Sequence, residues 1–455
     1  MYNDLEYLSV PLPEDIMKLK WYGDFARANH VIDMRLAKDI PTALRKRLEL
    51  EKEILARMPL EYIYTTEEAA ARLMEHVNDA SAEELEKLRD EGAAEWIYVN
   101  GEVRYKDDFL ENMIKTRPDI ASRLKDPKLA EEYESNSRLL DEIIAEMKEK
   151  GGLAYKMHIR ASLKMKKEAE EIGKTIRVHL PIPLQYSQAK NVELLSCSEQ
   201  KYVLAPEEQI QRTVFMETEL QPDHEFFIEY QFENHMNYVD PKPSEVSEIQ
   251  PDFYTSEQAP HILFTPYLKA LTAEVVGDEK NPLLKARKIY DYITSHIMYS
   301  FVRQYFTITD IPEYMASGLK GDCGIYALLF ITMCRIAGVP ARWQSGLYAT
   351  PLTIGNHDWA QFYVAPYGWM YADCSFGGAA YRAGATDRWN FYFGNLEPFR
   401  ITCCSDFQHE FVPPKKLLRH DPYDNRNGEA EYEHRGLDHH VDYETEKIVI
   451  NIEKI

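Results

Sequence analysis

Residues 321–342 read GDCGIYALLFITMCRIAGVPAR. Apolar residues recur at helical spacing at Ile325, Leu328, Leu329, Met333 and Ile336. Asp322 is placed to cap the start of that helix, Gly338 to follow its last turn and Pro340 to stop it. Cys323 then falls in the first turn. Unpaired backbone N–H groups and the positive end of the helix dipole favour a thiolate there. The same N–H groups can hold an oxyanion. A thiolate attacks an amide or ester carbonyl and forms a thioester. A lone cysteine is more often a buried packing residue, so the residues around it decide.

Two of them follow in the chain. His357 opens the run His-Asp-Trp-Ala-Gln-Phe-Tyr-Val (357–364), which alternates as a strand. Ala365-Pro366-Tyr367-Gly368 signals a turn, and a second strand, Trp369 to Asp373, comes next. An imidazole can take the thiol proton and return it to a leaving amine. A carboxylate on its other nitrogen fixes the tautomer and stabilises the imidazolium. A plain four-residue loop over 365–368 would pair residue 364 with 369 and turn His357 and Asp373 to opposite faces. An odd loop or a bulge puts them on one face, so the hairpin is expected to be irregular.

Gly321-Asp322-Cys323, the helix running into Gly338-Val339-Pro340-Ala341-Arg342, His357-Asp358-Trp359 and Gly368-Trp369 with Asp373 together resemble the transglutaminase-like superfamily. These are papain-related cysteine acyltransferases and proteases. The resemblance covers residues 260–400 or so. It implies Cys323 as nucleophile, His357 as general base and Asp373 as orienting acid, with no metal and no cofactor. His-Asp-Trp stands where the family frequently has His-Ala-Trp, with Asp358 on the opposite strand face, placed to tune local charge. The safest oxyanion donor is the Cys323 backbone N–H. Papain-like sites use a glutamine and some transglutaminases a tryptophan, but no tryptophan precedes Cys323 nearer than Trp96, so Gln304 and Tyr299 are the side-chain candidates. Trp359 and Trp369 are the candidates to line the cleft.

Working outward, residues 1–152 read mainly as helix, with a capping pattern at Ser81–Glu84 and a long polar helix over 127–150. A hairpin interrupts them, WIYV (96–99) and EVRY (102–105) around Asn100-Gly101. Over 153–250 the pattern changes to period two, as in Lys156–Lys164, Thr175–Leu180 and Phe226–Phe232, which predicts a β-sandwich-like domain. The run Thr175–Pro183 followed by Gln185 is similar to the β-domain that often precedes this core in bacterial members. A catalytic core over 255–404 follows, with Asn281-Pro282 opening a helix. Residues 405–455 form a C-terminal extension with a strand-like run at Lys447–Ile452. The fold class is α+β, a papain-like core behind a β-domain and a helical N-terminal region.

Bulk properties narrow the function. The 455 residues carry a formal net charge of −22. Nucleic-acid binding rests on cations neutralising phosphates, so this balance argues against it, and it disfavours anionic membranes. No apolar run is long enough to span a bilayer, and the first residues lack a basic start followed by an apolar stretch. Six cysteines without a CxxC pair suggest neither a disulfide framework nor a zinc site. A cytoplasmic location is expected. The function that follows is acyl transfer from a peptide or glutamine-like amide, with hydrolysis favoured and a peptide or protein as substrate. The alternatives are a protein-glutamine transglutaminase and a non-catalytic binding or scaffold protein. The oligomeric state is left open.

Overall fold

The computed structural model describes residues 2–126, 128–185, 187–439 and 441–455. The N-terminal region contains α1 (Glu14–Tyr22), α2 (Phe25–Leu36), α3 (Thr42–Arg57), α4 (Thr66–His76) and α5 (Ala82–Asp90). A hairpin of β1 (Trp96–Val99) and β2 (Glu102–Tyr105) leads to α6 (Phe109–Thr116), α7 (Pro118–Ala121) and α8 (Lys128–Lys150). The hairpin is a two-residue turn, with Val99 paired to Glu102 and φ of 51° at Asn100 and 79° at Gly101. Positive φ at both positions is what an Asn-Gly turn supplies. Ser81 accepts from the Glu84 N–H at 3.2 Å. A full capping box stands one helix earlier, at Thr65 and Glu68. Residue 127, expected to open α8, lies outside the described residues.

The β-domain begins with β3 (Gly152–Met165), β4 (Thr175–Pro181), β5 (Ala189–Cys197), β6 (Tyr202–Leu204), β7 (Thr213–Glu219) and β8 (Glu225–Asn237). Alternate residues of β3 and β8, such as Met157, Ile159, Phe226 and Ile228, are buried and share one hydrophobic cluster with Ile176 and Val178 of β4. That is the period-two pattern read from the sequence, resolved into inward faces.

The core contains α9 (Pro266–Val276), α10 (Pro282–His296), β9 (Met298–Tyr299), α11 (Ile311–Gly318), β10 (Lys320–Gly321) and α12 (Cys323–Ile336). Then come β11 (Ala341–Ala349), β12 (Ile354–Val364), β13 (Gly368–Ala372), α13 (Cys374–Arg382), α14 (Thr386–Phe391), β14 (Phe393–Gly394) and β15 (Arg400–Cys404). The sheet runs β14-β13-β12-β11-β15. Helix α12 is the centre of the core and is buried from Cys323 to Arg335. Asp322 caps it, and Gly338, at φ 78°, follows its end. β12 and β13 pair Val364 with Gly368, so the loop is the three residues 365–367. This odd loop puts His357 and Asp373 on the same face.

The C-terminal segment returns to the β-domain. Strand β16 (Glu429–Tyr432) pairs with β4, and β17 (Tyr443–Lys454) pairs with β3. The two sheets are therefore four-stranded, β16-β4-β7-β6 and β17-β3-β8-β5. The run Lys447–Ile452 lies within β17.

Candidate active site

Cys323 is the first residue of α12 and is 8% exposed. The short parallel pairing of β9 with β10, Gly321 against Tyr299, sets the backbone just before it. The cap Asp322 accepts from the Ile325 N–H at 3.4 Å and from the Tyr305 hydroxyl. The same hydroxyl accepts from the Gly324 N–H at 3.1 Å. A Cβ on Gly324 would lie 2.3 Å from Tyr305 Oη and 2.8 Å from Asp358 Oδ2, so only glycine leaves room for both groups.

His357 and Asp373 meet. His357 Nε2 lies 2.7 Å from Asp373 Oδ2. Asp373 Oδ1 accepts from the Phe376 N–H at 2.9 Å and from Ser375 Oγ at 3.1 Å, which caps α13. Arg400 Nη1 approaches Asp373 Oδ2 at 2.8 Å, as an ion pair rather than an aligned hydrogen bond. Arg400 also holds Glu397 through Nε at 2.6 Å. Burial alone would raise the Asp373 carboxyl. The charges of His357 and Arg400 outweigh it and hold that carboxyl well below the usual carboxylate range.

The thiol is held by a different partner. Cys323 Sγ donates to Asp358 Oδ2 at 3.3 Å, and Arg426 Nη1 donates to the same oxygen at 2.8 Å. Among the described residues, no hydrogen bond joins Cys323 to His357. Asp358 and His357 are neighbours on β12, so their side chains leave the strand on opposite sides. Trp359, two residues beyond His357, stacks with it at 6.0 Å, as same-side residues do. The site is thus a His357–Asp373 pair and a separately held thiol. The helix start that favours a thiolate is opposed here by its surroundings. Burial, then Asp358 and then Asp322 push the Cys323 thiol well above its usual range, against the pull of Arg426. Asp322 itself is pushed up to about 6 by burial, with Asp358 adding to the effect and the Tyr305 hydrogen bond opposing it.

A cavity of about 750 Å³ has Asp322, Tyr305 and Arg426, the neighbours of Cys323, in its wall. Phe301 and Phe306 line it from the core, and Leu110 from the N-terminal region. Gln304 also borders it, but its Nε2 donates to Glu61 Oε1 at 2.8 Å, so its amide is engaged with the N-terminal region. Tyr299 is half-buried in β9 with its ring 6.0 Å from that of Tyr326. The two hairpin tryptophans do not line this cavity. Trp359 is 1% exposed and donates from Nε1 to Gln344 Oε1 at 2.8 Å. Trp369 lies under Arg342, whose guanidinium is 3.8 Å from the ring centre, beside Tyr254 and Tyr363. The reason is parity: their positions share the strand side of His357, not that of Asp358. Sequence reasoning missed Arg426 and Arg400. The departure from His-Ala-Trp was the one available signal for Asp358.

Residues 269–374 match the model of the transglutaminase-like superfamily. An uncharacterised protein of Haemophilus influenzae is 25% identical over 160 residues, which are 30% of this chain and 43% of that protein. The chain therefore spans less than half the length of that relative. Among solved structures, a candidate cysteine protease from Cytophaga hutchinsonii aligns at a TM-score of 0.41 and 13% identity, covering 66% of this chain and 91% of that one. The periplasmic domain of TgpA from Pseudomonas aeruginosa aligns at a TM-score of 0.29 and 14% identity, covering 54% and 95% respectively. Among the described residues no helix is long and apolar enough to cross a membrane.

Proposed function

We propose that this transglutaminase-like domain transfers the acyl group of a peptide or glutamine-like amide through a thioester on Cys323, with water as the usual acceptor. The observation that carries the reading is the His357–Asp373 pair, 2.7 Å apart, on the strand whose next residue touches the thiol. Asp373 occupies His357 Nε2, which leaves Nδ1 as the basic nitrogen. For the reaction the sulfur has to leave Asp358 and reach the His357 side of the strand, where it gives its proton to Nδ1 as Sγ attacks the amide carbon. The C–N bond breaks, and the amine departs with that proton. Water then adds to the thioester, His357 takes and returns its proton, and Cys323 is released as a thiol. Gly324 and Ile325 have their N–H groups on Tyr305 and Asp322. The Cys323 N–H is the first-turn donor left for the developing oxyanion.

Water is favoured over an amine because an amine wins only in a site that binds it and excludes water. The hairpin tryptophans that would help wall off such a site are engaged elsewhere. A cytoplasmic, thiol-preserving location fits six cysteines that are all free. Fractionation of the native host checks the location; recovery outside the cytoplasm would refute it. A binding or scaffold role is the second reading, favoured by the thiol resting on Asp358 rather than on His357. An amide peptide library given to the wild type and to Cys323→Ala separates the two readings. Release of free acid by the wild type alone supports hydrolysis. Dominant incorporation of an added primary amine would make the protein a transglutaminase. Equal inactivity of both proteins would leave only the binding role.

A further inference from the structure

Beyond His357 and Asp373, the thiol sits among groups that the acyl-transfer chemistry does not use. Asp358 is 1% exposed, and one of its oxygens serves both Cys323 Sγ at 3.3 Å and Arg426 Nη1 at 2.8 Å. Arg426 is itself fixed, through Nε to Asp424 Oδ1 at 2.8 Å and through Nη2 to Asp421 Oδ2 at 3.3 Å. It comes from a loop outside the matched residues 269–374. Gly324 keeps open the space into which the Asp358 carboxylate reaches.

We propose that Asp358, anchored by Arg426, is a positioning residue that keeps the Cys323 sulfur protonated and off His357 until that ion pair is displaced. The inference deepens the acyl-transfer reading, since it concerns how the same nucleophile is controlled.

The charges around the sulfur support it. The helix cap contributes Asp322, β12 contributes Asp358, and the loop before α11 contributes the neutral Tyr305 hydroxyl, bonded to Asp322. The loop before β16 contributes Arg426, whose one positive charge is shared among Asp358, Asp421 and Asp424. A thiolate formed here would lie against a carboxylate with its counter-ion already divided. The dipole of α12 favours the thiolate by less than these near charges oppose it. The proton accordingly stays on Sγ, donated to Asp358 as a hydrogen bond and not transferred.

The test is iodoacetamide alkylation of the full chain from about pH 5 to about pH 10, with Cys323 followed by peptide mass, which needs no substrate. For the wild type, the rate of Cys323 alkylation is expected to rise with a midpoint above about 8.5, the value of an ordinary cysteine. In Asp358→Asn the midpoint should fall by about one unit or more, so that alkylation at about pH 7 becomes roughly tenfold faster. Asp358→Glu should move the profile back toward the wild type. A wild-type midpoint at or below about 8.5 would overturn the proposal, even if the variants fail to fold. So would an Asp358→Asn protein with a native circular-dichroism spectrum and an unchanged profile. Failure of the acyl-transfer reading would appear separately, as absence of amide turnover by the wild type, and would leave the alkylation result intact.

Discussion

Arg400 is fully buried and bridges two buried carboxylates, Asp373 and Glu397, while its guanidinium lies 4.2 Å from the Phe376 ring centre. Replacing it by methionine keeps most of the volume and strands both acids. Breaking a buried pair in this way costs about 3–5 kcal/mol. Urea unfolding of Arg400→Met at neutral pH should show a loss of that size. The loss should shrink in acid. Asp373 has its folded pKa depressed, so its contribution is present above the unfolded value of about 4 and disappears as pH falls below it. An Arg400→Met protein as stable as the wild type at neutral pH would mean that the buried cluster tolerates unpaired charge. At this scale the sequence was half legible. The resemblance pairs His357 with Asp373, and parity then requires an odd loop between them, because strand alternation is a local rule. Arg426 could not be brought to Asp358, because 68 residues separate them and nothing local aims one at the other.

At the scale of elements, α12 was readable end to end because its signals are adjacent in the chain, Asp322 before it and Gly338 after it. Its first turn departs from ordinary helix rules. Alanine in place of a helical glycine normally stabilises by about 0.5–1 kcal/mol. Gly324→Ala should instead destabilise by about 1–3 kcal/mol, because its methyl would push on Tyr305 and Asp358. Denaturant midpoints at equal m-value check the sign, and a stabilised Gly324→Ala protein would show that this corner has slack. The hairpin makes a second case. One residue added to the 365–367 loop makes it even and turns Asp373 away from His357. Amide hydrolysis by that insertion variant should fall to the level of His357→Ala. Retention of wild-type turnover would show that the pair is dispensable.

Across the whole molecule, the change from helices to strands near residue 152 was visible as a change of period, whereas the return of the C-terminal segment was not. A strand pattern such as Lys447–Ile452 states that a partner exists without saying which, and its partner β3 lies hundreds of residues earlier. Glu429 of β16 ties that return to the candidate active site. Its carboxylate takes Lys415 at 2.8 Å, Arg419 at 2.9 Å and the His420 N–H at 2.9 Å, ordering the stretch that leads to Arg426. Burial would raise this carboxyl, but Lys415 and Arg419 hold it at about 2. Glu429→Gln should therefore cost about 3 kcal/mol at neutral pH, from the gap between folded and unfolded pKa. With a depressed folded pKa, that difference is complete above about 4 and fades as pH falls toward about 2. Urea melts of both proteins at about pH 7 and about pH 3 check it, and a difference that grows in acid would reverse the assignment.

The loop carrying Arg426 and the two strands after it also bear on the order in which the protein is made. A ribosome delivers Cys323, His357 and Asp373 well before residues 426–454. Until then the sulfur lacks the Arg426 half of its resting contact, and both β-sheets lack a strand. A nascent chain halted at Cys404 should accordingly react differently with thiol reagents from the released protein, so the surroundings of Cys323 are completed during synthesis, not inherited from the core alone.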